Sequence, residues 1–171
     1  MITQSGISIR QGTSGDAEGI ARVHVDSWRE TYDGILPPRV LSAQTYARRL
    51  ALWRQTLSRD TDRLVMVAEA GKQIVGFATS GRNRNAAVPF TAEMYTLYVL
   101  PEWQGEGIGQ ELFRESSRRL SADGHKNLAT WVLADNPSVG FYEWLGGIPV
   151  AERDERFGMA VLRQRAYGWW I

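Results

Sequence analysis

Three alternating glycines, Gly105, Gly107 and Gly109, sit in the stretch QGEGIG that begins at Gln104. Glycine lets the backbone take positive φ and lets a ligand approach it closely. From Ile108 onward the apolar residues take a helical period. Ile108, Leu112, Ser116 and Leu120 fall on one face with Phe113 beside it, and Gln110, Glu111, Arg114, Glu115 and Arg118 fall on the other. A helix start carries N–H groups without internal partners and the positive end of the macrodipole. Glycines placed there make a site for an anion, most often a phosphate.

Other chemistries have less to work with. The chain has no cysteine, which excludes a disulfide framework, a thiolate metal site and a cysteine nucleophile. It has no Gly-x-Ser-x-Gly elbow. The two histidines, His24 and His125, are far apart and have no acidic partner at ligand spacing, so no metal is expected. His24 reads as core or pocket wall and His125 as an exposed turn residue. Three readings compete for the glycines. A dinucleotide fingerprint, G-x-G-x-x-G, fits Gly105 and Gly107 but meets Gln110 at its third glycine. A triphosphate loop needs Gly-Lys-Ser/Thr where Gln110-Glu111 stand. A simple structural turn is the third reading.

The elements that must position the loop follow from pattern. Met94 to Val99, aromatic and β-branched, predicts a buried strand that Pro101 ends. Upstream, Ile7–Arg10 reads as a short strand. A helix capped by Thr13 or Ser14 follows, with Ala17, Ile20, Ala21, His24 and Trp28 on its stripe. It runs out at Tyr32-Asp33-Gly34. A second helix is predicted over about Arg39 to Ser58. Leu64–Ala70 and Gln73–Arg82 read as two strands joined at Gly71-Lys72, with a bulge near Gly76. After the loop helix, Asn127–Leu133 is a strand. Asn136 to Leu145 is a short helix, capped by Asn136 with Pro137 at its first position. Ile148–Glu152 is a strand, Arg153–Gly158 a charged turn and Met159–Trp169 a final strand. Trp28, Trp53 and Trp144 fall at helical core spacings. The order is that of a mixed α/β layer with one strand-helix-strand crossover.

At 171 residues the chain reads as one domain that buries about 70% of its unfolded surface. Hydrophobic content of 43% and charged content of 23% are those of a soluble protein. A net charge of +1 argues against a nucleic-acid partner. No run reaches the length of a membrane span, and MITQSGISIR lacks the apolar core of a secretion signal, so a cytoplasmic location is expected.

Gln104-x-x-Gly107-x-Gly109 resembles the acyl-CoA-binding motif Gln/Arg-x-x-Gly-x-Gly/Ala of the GNAT N-acetyltransferase superfamily. The flanks LYVLPEWQG, RQGTSGDAEGIARVH and NPSVGFYEWLGG resemble that family's elements too, so nearly the whole chain fits its element order. The resemblance implies an α/β fold in one domain over residues 1–171, with a mixed, mostly antiparallel sheet and about four flanking helices. It implies acetyl-CoA as co-substrate, no metal, and direct transfer to a primary amine of a small molecule or peptide without a covalent acyl-enzyme. A homodimer is a family-level expectation. The alternative is a non-catalytic acyl-CoA-binding module that keeps the loop without the chemistry.

Site residues follow from the resemblance. Amides of Gln104, Gly105, Glu106, Gly107, Ile108 and Gly109 would hold the CoA pyrophosphate, with the Glu106 side chain turned to solvent. Backbone groups of Leu97, Tyr98 and Val99 would pair with the pantetheine arm, which Asn136 also contacts. Tyr142, six residues after Asn136 where the family's commonest spacing is seven, would donate to the CoA thiolate. Glu93, eleven residues before Gln104, matches the glutamate some members use as a base through water. Strand alternation would put Glu93, Tyr95, Leu97 and Val99 on one face. Trp28 and Tyr32 would wall the acceptor pocket, with the Glu152–Arg156 turn as a lid.

Overall fold

A computed structural model describes residues 6–58 and 62–171. The reading of MITQSGISIR as lacking a leader therefore falls partly outside the described residues. Among the described residues seven strands form one sheet: β1 (Ile7–Gln11), β2 (Leu64–Ala70), β3 (Gln73–Arg82), β4 (Ala92–Val99), β5 (Asn127–Leu133), β6 (Ile148–Phe157) and β7 (Ala160–Trp170). Their spatial order is β1-β2-β3-β4-β5-β7-β6, and every pairing is antiparallel except β4 with β5. The helices are α1 (Ala17–Tyr32), α2 (Pro38–Ser42), α3 (Tyr46–Ser58), α4 (Ile108–Ala122) and α5 (Val139–Trp144). The mixed, mostly antiparallel sheet is as expected, with five α-helices around it among the described residues. No helix among the described residues is long and apolar enough to cross a membrane.

Two layers of side chains fix the helices to the sheet. Ile20, Ala21 and Val23 of α1 and Trp53 of α3 pack on Val65, Val67 and Phe77 on one face. Ile108 and Leu112 of α4 pack on Met66, Ala78 and Val99 on the other. The predicted stripe of α4 is buried as read, from Ile108 through Leu112, Phe113 and Ser116 to Leu120.

Four local readings change. The helix expected over Arg39–Ser58 is two, because Thr45 interrupts it and its hydroxyl accepts from the Arg48 N–H as a cap (3.3 Å). The bulge of β2 and β3 falls at Val75, beside Gly76. The charged turn at Arg153–Gly158 is strand through Phe157: Asp154, and Glu152 just before the segment, face arginines on β7, taking Arg163 at 2.7 Å and Arg165 at 2.9 Å. Of the three tryptophans at core spacing, Trp53 is buried, Trp28 is half-buried and Trp144 is exposed.

The consequential irregularity lies in β4. Thr79 pairs with Thr96 and Ser80 with Met94, so Tyr95 bulges out of register. Alternation resets there. Met94 and Leu97 both pack toward α4, and Val99 follows Leu97. Glu93, Tyr95, Leu97 and Val99 therefore do not share one face; Glu93 is turned to the opposite side from Leu97 and Val99. At the same point β4 and β5 part. Their parallel pairing covers Ala92–Leu128, Glu93–Ala129 and Met94–Thr130 and then stops. The Thr130 hydroxyl donates to the Met94 carbonyl at 3.0 Å at the crotch of this fork.

Candidate active site

The fork opens into a cavity of about 470 Å³. One end is the glycine loop. Gly107 precedes α4 with φ +76°, and Gly105 has φ +80°, both in the left-handed region. The first bond inside α4 runs from the Glu111 N–H to the Gly107 carbonyl (3.1 Å), so the N–H groups of Ile108, Gly109 and Gln110 are the helix's free first-turn donors. Gly109 has a different reason. A β-carbon there would stand 3.2 Å from the Phe141 ring and 3.6 Å from Leu97, so glycine lets α4 approach α5 across the cavity.

The middle of the cavity is the open edge of β4. Leu100 donates its N–H to the Val75 carbonyl on β3, so by strand alternation the peptide groups of Val99 and Leu97 turn toward the fork. The Val99 carbonyl is already engaged: Gln104 Nε2 donates to it at 3.1 Å and the Ser27 hydroxyl at 3.3 Å. Gln104 thus fastens the loop to the strand end.

The far end is aromatic. Tyr32, Tyr95, Tyr98, Trp131 and Tyr142 line it with Thr31, Thr96, Thr130 and Asn136. Tyr32 lies beside the Tyr98 hydroxyl and the Asn136 amide. Burial pushes the Tyr142 phenol well up, countered by the Thr130 hydroxyl beside it. Burial also raises Tyr98, with the neighbouring Tyr32 adding to the rise. All are hydrogen-bond donors at neutral pH. None of the described residues lining the cavity carries a charge.

Of the expected site residues, Leu97, Tyr98, Val99, Gln104, Gly105, Gly107, Ile108, Gly109, Asn136, Tyr142 and Tyr32 come together on this wall. Three do not. Glu106 is exposed to solvent. Trp28 packs against Tyr32, ring centroids 4.5 Å apart, and does not itself reach the cavity wall. Glu93 is 6% exposed and lies off the wall. Its carboxylate accepts from Arg84 Nη2 at 2.9 Å and from the Arg84 backbone N–H at 3.0 Å. Asn136 does not begin α5. Its Oδ1 accepts from the Ser138 N–H (2.8 Å) and shapes the turn, and the helix starts at Val139. His24 is core: burial lowers it to about 3, and its Nδ1 accepts from Trp53 Nε1 at 3.2 Å.

Sequence reasoning missed Ser27, Thr31, Thr130 and Trp131 on the wall. Ser27 and Thr31 had a signal, since polar residues four apart on a helix face are neighbours and both lie within reach of the His24 stripe. Thr130 and Trp131 had none, because nothing local marks where β5 leaves β4.

Residues 30–164 match a family model described as an acetyltransferase (GNAT) domain. The chain is 30% identical over 163 residues to an uncharacterised N-acetyltransferase of Bacillus subtilis, covering 95% of this chain and 92% of that one. It is 28% identical over 153 residues to a spermidine N(1)-acetyltransferase of Thermoplasma acidophilum, covering 86% and 91%. An N-acetyltransferase of the same organism, solved in complex with coenzyme A, has a similar fold: TM-score 0.69, 22% identity, 93% of this chain and 97% of that one.

Proposed function

The chain belongs to the GNAT acetyltransferase family, and we propose that it moves acetyl from acetyl-CoA directly to a primary amine of a small molecule or peptide. The observation that carries this reading is the fork between β4 and β5, which joins a phosphate-type helix start to a wall of neutral donors through a free strand edge.

In this reading the first-turn amides of α4 hold the pyrophosphate, and the Leu97 peptide groups and the Val99 N–H pair with the pantetheine arm. The amine nitrogen forms a bond to the thioester carbonyl carbon, the carbon–sulfur bond breaks, and the electron pair leaves on sulfur. Tyr142 donates a hydrogen bond to that sulfur. A thiol titrates near ~8.5, well below the raised Tyr142 phenol, so Tyr142 stabilises the thiolate without giving up its proton. The amine sheds its proton to water. An uncharged cavity disfavours an ammonium ion, so entry itself selects the neutral amine. Glu93, held by Arg84, acts in this scheme by orienting that arginine. Among the described residues, the cavity wall supplies no carboxylate for a polyamine such as the acceptor named for the Thermoplasma relative.

The test is a screen of primary amines for CoA release, paired with acetyl-CoA binding by thermal shift. Binding with release supports the proposal. Binding without release from any amine points to the non-catalytic module, and no binding removes the acetyl-CoA assignment.

A further inference from the structure

A second cavity, of about 450 Å³, lies on the other side of Tyr95, which lines both. Its character is opposite to that of the first. Arg63, Arg82 and Arg84 line it, against Asp62 as the one lining carboxylate among the described residues. Arg84 lies 3.7 Å over the Tyr95 ring, held by Glu93 from behind, and Arg63 lies 5.3 Å from the same ring. Tyr95 is itself fixed, donating its hydroxyl to the Arg82 carbonyl at 2.6 Å. Arg63 and Arg82 have no ion-pair partner among the described residues, so with Arg84 committed to Glu93 their guanidinium groups are free for a ligand.

We propose that this arginine-lined cavity anchors an anionic group, a carboxylate or a phosphate, at the far end of the acceptor amine. The inference rests on the acetyl-transfer reading above and names the class of acceptor. Its physical reason is a mismatch. A primary amine is a cation in water, and a neutral, aromatic cavity offers it no counter-charge. The energy to bring it in, stripped of a proton, must come from a part of the substrate that does not react. Two unpaired guanidinium groups one side chain away supply that hold, and Arg is suited to carboxylate and phosphate because its planar fork binds them in two places. Tyr95, which bulges out of the β3–β4 register, is the residue the two cavities share.

The test compares ω-amino acids of increasing methylene count with matched ω-aminoalkyl phosphates, ω-amino amides and α,ω-diamines. Each is assayed as an acceptor and, in the presence of CoA, as a ligand by calorimetry. Anionic acceptors are expected to exceed amides by about tenfold or more in both readouts at one optimal length, with the advantage shrinking as salt is added. The order of carboxylate and phosphate tells which anion is native. In the Arg63→Gln/Arg82→Gln variant the anionic series should fall to the level of the amides, with the acetyl-CoA Kd as the control for folding. Amides or diamines matching the anions, or an anion preference that survives the double variant, overturns the proposal. Arginine-dependent anion binding with no CoA release from any amine would leave the anchor standing and remove the acetyl-transfer reading instead.

Discussion

Gly109 and Phe141 touch across the cavity: a β-carbon on the glycine would stand 3.2 Å from the ring. This contact joins the first turn of α4 to α5, and so sets the distance between the phosphate end and Tyr142. Alanine favours a helix over glycine by up to about 1 kcal/mol, while overpacking a fitted contact costs roughly 1–3 kcal/mol. Gly109→Ala is therefore expected to destabilise by about 1 kcal/mol. In a Phe141→Leu background the same change should turn neutral or stabilising. Denaturant unfolding of the four proteins of the cycle measures the sign change.

Tyr142→Phe should lower kcat by about a hundredfold, the scale of a lost donor at a developing charge, with the acetyl-CoA Kd nearly unchanged. Because burial holds the Tyr142 phenol protonated, the wild-type kcat should show no limb from it as pH rises to 9. Steady-state kinetics from pH 6 to 9 test both. An unchanged kcat in the variant removes Tyr142 from the chemistry.

Glu93→Gln should spare the shape of the pH–rate profile, since the carboxylate is off the cavity wall and engaged by Arg84. Its effect is expected in KM for the acceptor, several-fold upward, as Arg84 loses its hold over Tyr95. A profile that loses its acidic limb in the variant would instead make Glu93 the base.

Stability should fall in two pH windows. His24 is held near about 3, below its unfolded value near ~6.5, so the unfolded chain takes a proton that the folded one refuses. Its contribution is complete above pH ~6.5 and declines by about 1.4 kcal/mol per pH unit as pH falls toward 3. Asp16 is held down near about 2, first by its hydrogen bonds to Arg10 at 2.8 Å. Its contribution is complete above ~4 and is lost as pH falls through 2. His24→Gln should flatten the curve between pH 6.5 and 4 and leave the lower window, while Asp16→Asn should do the reverse. Unfolding free energies measured across pH 2.5–7.5 separate the two.

Much of the scaffold is legible in order. β2, β3, β5 and α4 lie where alternation, turn residues and the helical stripe put them. The glycine loop is equally plain, because its φ angles and its place before a helix are local properties. What stays hidden is non-local. Tyr95 looks like any strand residue until Thr79 and Ser80 are laid against Thr96 and Met94, and that one slip turns Glu93 away from Leu97 and Val99. Arg153 to Phe157 read as a turn because their charges mark a solvated loop as well as they mark a paired edge, and only the facing charges of β7 decide. Trp144 has core spacing on a helix too short to bury it.

The fork after Met94 and Thr130 gives this sheet two edges in its interior. Bare strand edges are where proteins pair with one another and aggregate, and most folds confine them to a rim and guard them with charge or brevity. Here the inner edges are walled by α1, α4, α5 and the tyrosines, in a cleft with room for a narrow arm and none for a second sheet. The molecule keeps the hunger of an unfinished strand where only a ligand shaped like a peptide can reach it.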